Sequence, residues 1–177
     1  MLSIRWVIFL AGTAALVWFT WSFSVRERRY HGVARFFAFE AILALTLLNI
    51  GFWFTDALSP RQLLSWVLLC GSTWLPIHGF RLLKRVGRPD GQIENTTALV
   101  EQGAYRYIRH PLYASVMALT LGIWLKDVTG LTTMLAAVGV LAVYATARIE
   151  EGELVAKFGD PYAAYMRRTK MFIPWIW

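Results

Sequence analysis

The chain has 177 residues, 57% hydrophobic, 15% aromatic and 16% charged, with a formal net charge of +7 and a mean hydropathy of +0.47. Soluble domains carry about 25% charged residues, so this chain has too few to cover a water-facing surface, and a typical soluble enzyme is excluded. Intrinsic disorder, which needs low hydrophobicity, and a disulfide scaffold, for which Cys70 is the lone cysteine, are excluded as well.

A membrane helix needs about 20 mostly apolar residues. Residues 6–25 contain no Asp, Glu, Lys or Arg, and neither do residues 62–80; residues 36–55 are interrupted only by Glu40. Residues 111–125 are uncharged but short, and residues 128–147 are again uncharged. This predicts an all-α integral membrane protein with about five transmembrane helices. The first run is long, lacks a small-residue cleavage site and is followed, not preceded, by a basic cluster, so it is expected to be retained and not removed as a signal peptide.

Charge placement sets an expected topology. If the loop bearing Arg26, Arg28, Arg29 and Arg35 is cytoplasmic, then residues 81–110 and everything after Ala147 are cytoplasmic too. Only Arg5, Arg61 and Lys126, out of 18 basic residues, fall on the other side. The positive-inside rule then puts the N-terminus out and the C-terminus in the cytoplasm. In a membrane chain the net charge of +7 is a topology signal, and no nucleic-acid partner is expected.

The outer loops, 56–60 and 126–127, are too small for chemistry, so function is expected at the cytoplasmic side. At 1.5 Å per residue, the run 111–125 covers about 22 Å, short of a hydrocarbon core of about 30 Å. It forms a hairpin with 128–147 and leaves room for a cavity at the interface. The chain reads as one membrane domain, with three N-terminal helices in 1–80 and a cofactor-binding catalytic half in 81–177 that contains the hairpin 111–147. Residues 84–95, KRVGRPDGQIEN, read as an exposed loop. After Ala147, Glu151, Leu154, Val155 and Phe158 recur at helical spacing, Gly159 stops that helix, and Asp160-Pro161 supplies an N-cap and first-turn proline for another. These two short amphipathic helices, the second with Tyr162, Tyr165 and Thr169 on one face, are expected along the cytoplasmic interface.

Single residues elsewhere carry weaker readings. Glu40 lies inside the second helix, where a carboxylate is either functional or reaches water or a neighbouring Arg. Pro76 is expected to kink the third helix and His78 to lie at its interface or line a cavity, with Cys70 as packing. His31, His78 and His110 are dispersed and no Cys/His cluster exists, so no metal site is expected.

Two stretches are too polar for the bundle and too aromatic for plain loops. In residues 99–115, LVEQGAYRYIRHPLYAS, Gly103 permits a turn, Tyr105 and Tyr107 offer flat faces and hydroxyls, and Arg109 and His110 precede Pro111 at a helix start. Exposed amides and positive charge there make an anion site; the alternative is an interfacial Arg/His/Tyr belt. In residues 148–158, RIEEGELVAKF, Glu150 and Glu151 could bind a cation or ribose hydroxyls, or form a solvated face with pairs such as Glu153 and Lys157. A tight hairpin brings the two stretches together, and a compound with both charges could be gripped between them.

LVEQGAYRYIRHPLYAS resembles the signature of the isoprenylcysteine carboxyl methyltransferase family of integral-membrane enzymes, approximately LV-x-x-G-x-Y-x-x-x-RHP-x-Y-x-G. RIEEGELVAKFGDPYAAYMRRTKMFIP resembles the family's ending, with EE-x-x-L, FG-x-x-Y-x-x-Y and a final IP. The likeness covers about the last 80 residues. Ser115 stands where Gly is usual, and Met171 where Arg is expected. The resemblance implies S-adenosylmethionine as cofactor. His110 and Tyr113 would contact it, with His110 near its carboxylate. Glu150 or Glu151 would bind its amino group or ribose, Leu99 and Val100 would border the adenine, and Gly103 and Tyr105 would shape the pocket. Arg109 and Arg148 would orient an anionic acceptor or fix the carboxylates, and these two with Glu151 would be the catalytic residues.

The implied reaction transfers a methyl group to a lipophilic or lipidated acceptor that enters from the bilayer. A carboxylate, with a pKa near 4, needs no base, and catalysis reduces to in-line placement and desolvation. An amine or thiol would have to lose a proton to Glu150, Glu151 or His110. Two other functions compete. An NADPH-dependent sterol or enone reductase also carries RHP-x-Y, but it favours Asn where Leu112 stands and an acid soon after, and no acid lies between Pro111 and Leu125. A non-catalytic scaffold or transporter would leave the Arg-His and Glu-Glu clusters without a ligand, and no inverted repeat is visible. No obligate protein partner is evident. The expected location is a plasma or inner membrane in a prokaryote, or the endoplasmic reticulum in a eukaryote, with the site facing the cytoplasm.

Overall fold

The structure is a computed structural model that describes residues 2–26, 29–90 and 96–177. Arg28 and the end of the expected loop 84–95 lie outside the described residues. The architecture is all-helical: α1 (Leu2–Thr20) with a π-turn (Trp21–Val25), α2 (His31–Asn49) with a 3-10 turn (Ile50–Phe52), α3 (Pro60–Arg85), a 3-10 turn (Gly103–Arg106), α4 (Pro111–Trp124), α5 (Gly130–Phe158) and α6 (Asp160–Arg168). Four segments are long and apolar enough to cross a membrane: Ile4–Val25, His31–Phe52, Pro60–Arg85 and Gly130–Phe158. The fifth apolar helix, α4, has 14 residues, about 21 Å at 1.5 Å per residue.

Two differences from the sequence reading concern helix ends. The segment after Ala147 is not a separate amphipathic helix, because α5 runs unbroken for 29 residues to Phe158. Gly159, with φ +62, is the N-cap of α6, and Asp160 is its first residue. Cys70 is exposed on α3, so it is not a packing group within the chain.

The chain divides into two compact units, and α3, α4 and α5 contribute residues to both. The first comprises Met1–Leu69 and Met117–Ile149. Its core is Leu45, Leu69, Ile123 and Ala136, with Trp53, Trp66, Leu119 and Trp124 packed around them. Only 6% of the apolar window of Ile4–Val25 is buried within the chain, as expected of a surface meant for lipid. Between α1 and α2, Thr13 donates to Glu40 Oε1 at 2.6 Å, and Arg35 donates to the buried Ser24 hydroxyl at 3.1 Å.

A polar knot closes the C-terminal end of α4 in this unit. A helix end leaves its last carbonyls unsatisfied, which is costly where water is scarce. Here Ser65 donates to the Gly122 carbonyl, Asn49 to those of Ile123 and Asp127, and Arg61 to those of Leu125 and Lys126. Lys126 is fully buried, with its Nζ 3.5 Å from the Trp66 ring centroid and 3.0 Å from Gln62 Oε1.

The second unit comprises Cys70–Val116 and Glu150–Trp177. Its seam is a parallel bridge between Ile108 and Lys170. Around it Arg109 N donates to Lys170 O at 2.8 Å, His110 N to Met171 O at 3.1 Å, and Lys170 N to Tyr107 O at 3.1 Å. Gly103 sits at φ +57, and a Cβ there would run into His78 and Leu82. Both the backbone and the crowding therefore call for glycine.

Candidate active site

The second unit contains a partly open cavity of about 710 Å³, counted with its mouth. The space within it that the centre of a water molecule can reach is about 100 Å³. Leu83 of α3, Thr96, Leu99, Val100 and Tyr105 line it together with the residues from Arg109 to Tyr113 at the start of α4. Glu150, Leu154 and Phe158 come from the end of α5, and Tyr162 and Tyr165 from α6.

Charge is concentrated on one wall. Arg109 Nε donates to Glu151 Oε1 at 2.6 Å, and the two side chains are only 10% and 3% exposed. Arg109 Nη1 donates to the carbonyls of Thr169 at 2.5 Å and Met166 at 3.3 Å. One guanidinium thus holds a carboxylate on α5 and the carbonyl end of α6. His110, also buried, presents Nε2 to Glu151 Oε1 at 3.3 Å and Nδ1 to Glu150 Oε2 at 3.7 Å. Its ring stacks on Tyr113, with centroids 5.5 Å apart.

The two glutamates, adjacent in sequence, occupy different settings. Glu151 is held by Arg109 and His110, whereas Glu150 is 21% exposed and lines the cavity. Tyr165 donates to the Tyr105 carbonyl at 2.6 Å, fixing α6 to the loop before α4. Burial, then the charges of Glu150 and Tyr165, raise the Tyr105 phenol well above its ordinary pKa, so it stays protonated.

Of the residues singled out from sequence, Leu99, Val100, Tyr105, Arg109, His110, Tyr113 and Glu150 line the cavity, and Glu151 lies behind them. Gly103 is not a lining residue; it makes the turn against His78. His78 does not line the cavity either and stacks on Trp74. Arg148 is exposed and belongs to the first unit. The backbone amides just before α4 are not open to an anion, because Arg109 N and His110 N already donate to Lys170 and Met171. Leu83, Thr96, Pro111, Leu112, Leu154, Phe158, Tyr162 and Tyr165 also line the cavity, beyond the residues singled out from sequence. The i, i+3 and i+4 spacing of the last four was the available signal.

Residues 60–160 match the family model described as phospholipid methyltransferase. A methanethiol S-methyltransferase of Crocosphaera subtropica is 32% identical over 117 residues, 64% of this chain and 44% of that protein. Methanethiol S-methyltransferase 1 of Bradyrhizobium diazoefficiens is 29% identical over 144 residues, 75% of this chain and 43% of its own length. A methanethiol S-methyltransferase of Mycobacterium tuberculosis is 29% identical over 120 residues, 63% of this chain and 46% of its own. The chain therefore spans less than half the length of these curated relatives. The expected resemblance was to isoprenylcysteine carboxyl methyltransferases; the family found, with its methanethiol S-methyltransferase relatives, is related to membrane methyltransferases of that kind. The match takes in more than half of the residues, and the Arg109, His110, Glu150 and Glu151 wall lies inside it: the chain belongs to the phospholipid methyltransferase family.

Proposed function

We propose that this chain is a membrane methyltransferase that uses S-adenosylmethionine and methylates a nucleophile on a lipophilic acceptor. The observation that carries this reading is the convergence of Arg109, His110 and Glu150 on one cavity, with Glu151 holding Arg109 and His110 from behind, within the family-matched segment. The donor set fits the cofactor. Leu83, Leu99, Val100 and Leu154 offer an apolar wall for a flat base, and Glu150 offers a negative charge for the positive end.

When bound, S-adenosylmethionine supplies an electrophilic methyl group on a sulfonium. Glu151 and Arg109 fix the His110 ring, and the apolar wall excludes water, which strengthens attraction between opposite charges. We favour a thiol as the acceptor, in line with the printed activity of the relatives. A thiol acceptor would give up its S–H proton, with His110 between its two glutamates as the base in the cavity wall, and its sulfur would take the methyl group that the cofactor would supply, leaving the cofactor's own sulfur neutral. A carboxylate acceptor, as in isoprenylcysteine methylation, would need no such transfer. The concentration of basic residues in 81–110 and after Ala147 supports a cytoplasmic site.

Thermal unfolding in detergent tests the cofactor. S-adenosylhomocysteine at a hundred times its Kd should stabilise the fold by about 2.7 kcal/mol, and NADPH should not. A shift with NADPH alone would refute the reading. Turnover on lipid-tailed thiols against methanethiol separates a lipophilic acceptor from a small one; equal or higher turnover of methanethiol would remove entry from the bilayer.

A further inference from the structure

Tyr162 has no role in the reaction as described above, yet it lies in the cavity wall beside Glu150 and Arg109. The residue is 2% exposed, and its ring packs against Tyr165 at 5.8 Å, which is itself tied to the Tyr105 carbonyl. Its hydroxyl has no hydrogen-bond partner among the described residues, and it is not one of the sealed-off polar atoms of the interior. A buried hydroxyl normally finds a partner, and for a residue in a cavity wall whatever fills the cavity can supply one. Burial, then Glu151 and Glu150, hold the phenol well above its ordinary pKa, with Arg109 acting the other way. The group is therefore a neutral donor placed close to both signs of charge.

Several other donors on this wall are already engaged. Arg109 Nε and Nη1 serve Glu151 and the carbonyls of Met166 and Thr169. Each ring nitrogen of His110 faces a glutamate. The amides of Arg109 and His110 serve Lys170 and Met171. A ligand carboxylate arriving here thus meets the Tyr162 hydroxyl beside a guanidinium, and an ammonium on the same ligand meets Glu150. That is the complement of a zwitterionic α-amino acid.

Resting on the methyltransferase reading, we propose that Tyr162 is a cofactor-binding residue whose hydroxyl donates a hydrogen bond to the carboxylate at the amino-acid end of S-adenosylmethionine, while Glu150 receives its ammonium. His110, which sequence had placed near that carboxylate, then acts as a spacer between the two glutamates.

Titration calorimetry on the purified full chain in detergent tests this with three ligands: S-adenosylhomocysteine, its decarboxylated analogue, and 5′-methylthioadenosine, which lacks the amino-acid end. Hydrogen bonds to charged groups correspond to about ten- to a hundredfold in affinity. Tyr162→Phe should weaken S-adenosylhomocysteine by that factor and leave methylthioadenosine unchanged. The unaltered protein should prefer S-adenosylhomocysteine to the decarboxylated analogue by a similar factor, and the variant should lose that preference. Equal binding of those two ligands by the unaltered protein would overturn the inference alone, whether or not the variant folds. So would a variant that weakens methylthioadenosine as much as S-adenosylhomocysteine. If the unaltered protein bound none of the three, the methyltransferase reading would fall and the inference with it.

Discussion

The Arg109–Glu151 pair should behave as one energetic unit. Glu151→Leu leaves a buried guanidinium without its carboxylate, and breaking a buried pair on one side costs about 3–5 kcal/mol. Arg109 keeps the carbonyls of Met166 and Thr169, so the lower end applies, about 3 kcal/mol. For a chain of this size each kcal/mol moves Tm by about 2–4 °C, giving a fall of about 6–12 °C. Arg109→Met strands the carboxylate and also releases the end of α6, so its loss should be at least as large. The double variant has no stranded charge, and replacing a whole buried pair by apolar groups is often close to neutral. The cycle should therefore show coupling of at least about 2 kcal/mol, with the double variant melting above either single one. Tryptophan fluorescence during thermal unfolding in detergent reads all four proteins. Additive losses would refute the idea that the two charges hold each other.

Gly103→Ala should destabilise by about 1–3 kcal/mol in the same assay, because φ is +57 and the new methyl meets His78 and Leu82; an unchanged Tm would mean that this turn is not strained. Lys126 gives a pH signature: burial first, then Arg61, depresses its pKa from 10.5. Between the lowered folded value and 10.5 the unfolded chain binds more protons, so stability should rise with pH as it approaches 10.5. Lys126→Met should flatten that alkaline rise, and an identical slope in both proteins would refute the assignment.

The membrane helices were readable because lipid demands long runs without charge, and α1, α2, α3 and α5 contain them. Their ends were less readable. Residues 148–158 change from apolar to charged, which resembles a break, yet Glu, Leu, Ala and Lys are good helix formers and nothing stops α5 before Gly159. The Arg-His and Glu-Glu clusters stood out in sequence by composition. Which partner each would take did not, because Arg109 meets Glu151 across 42 positions and α6 across about 60. Tyr162 and Tyr165 were visible as one helical face, but only packing against Tyr105 and Arg109 turns that face into a cavity wall. Arg148, three residues before Glu151 on the same helix, is exposed and does not line the cavity.

The seam between residues 107–110 and 169–171 has a kinetic consequence. The amides of Arg109, His110 and Lys170 all donate across it, and the Arg109 side chain bridges the same gap to Thr169. No one of these bonds can open far while the others stay closed, so the three amides should exchange with solvent deuterium at rates set by a single opening event. A molecule gripping Glu150 from the cavity would slow that event without touching any of the three amides. Protection of the seam would then report occupancy of the pocket from its far side.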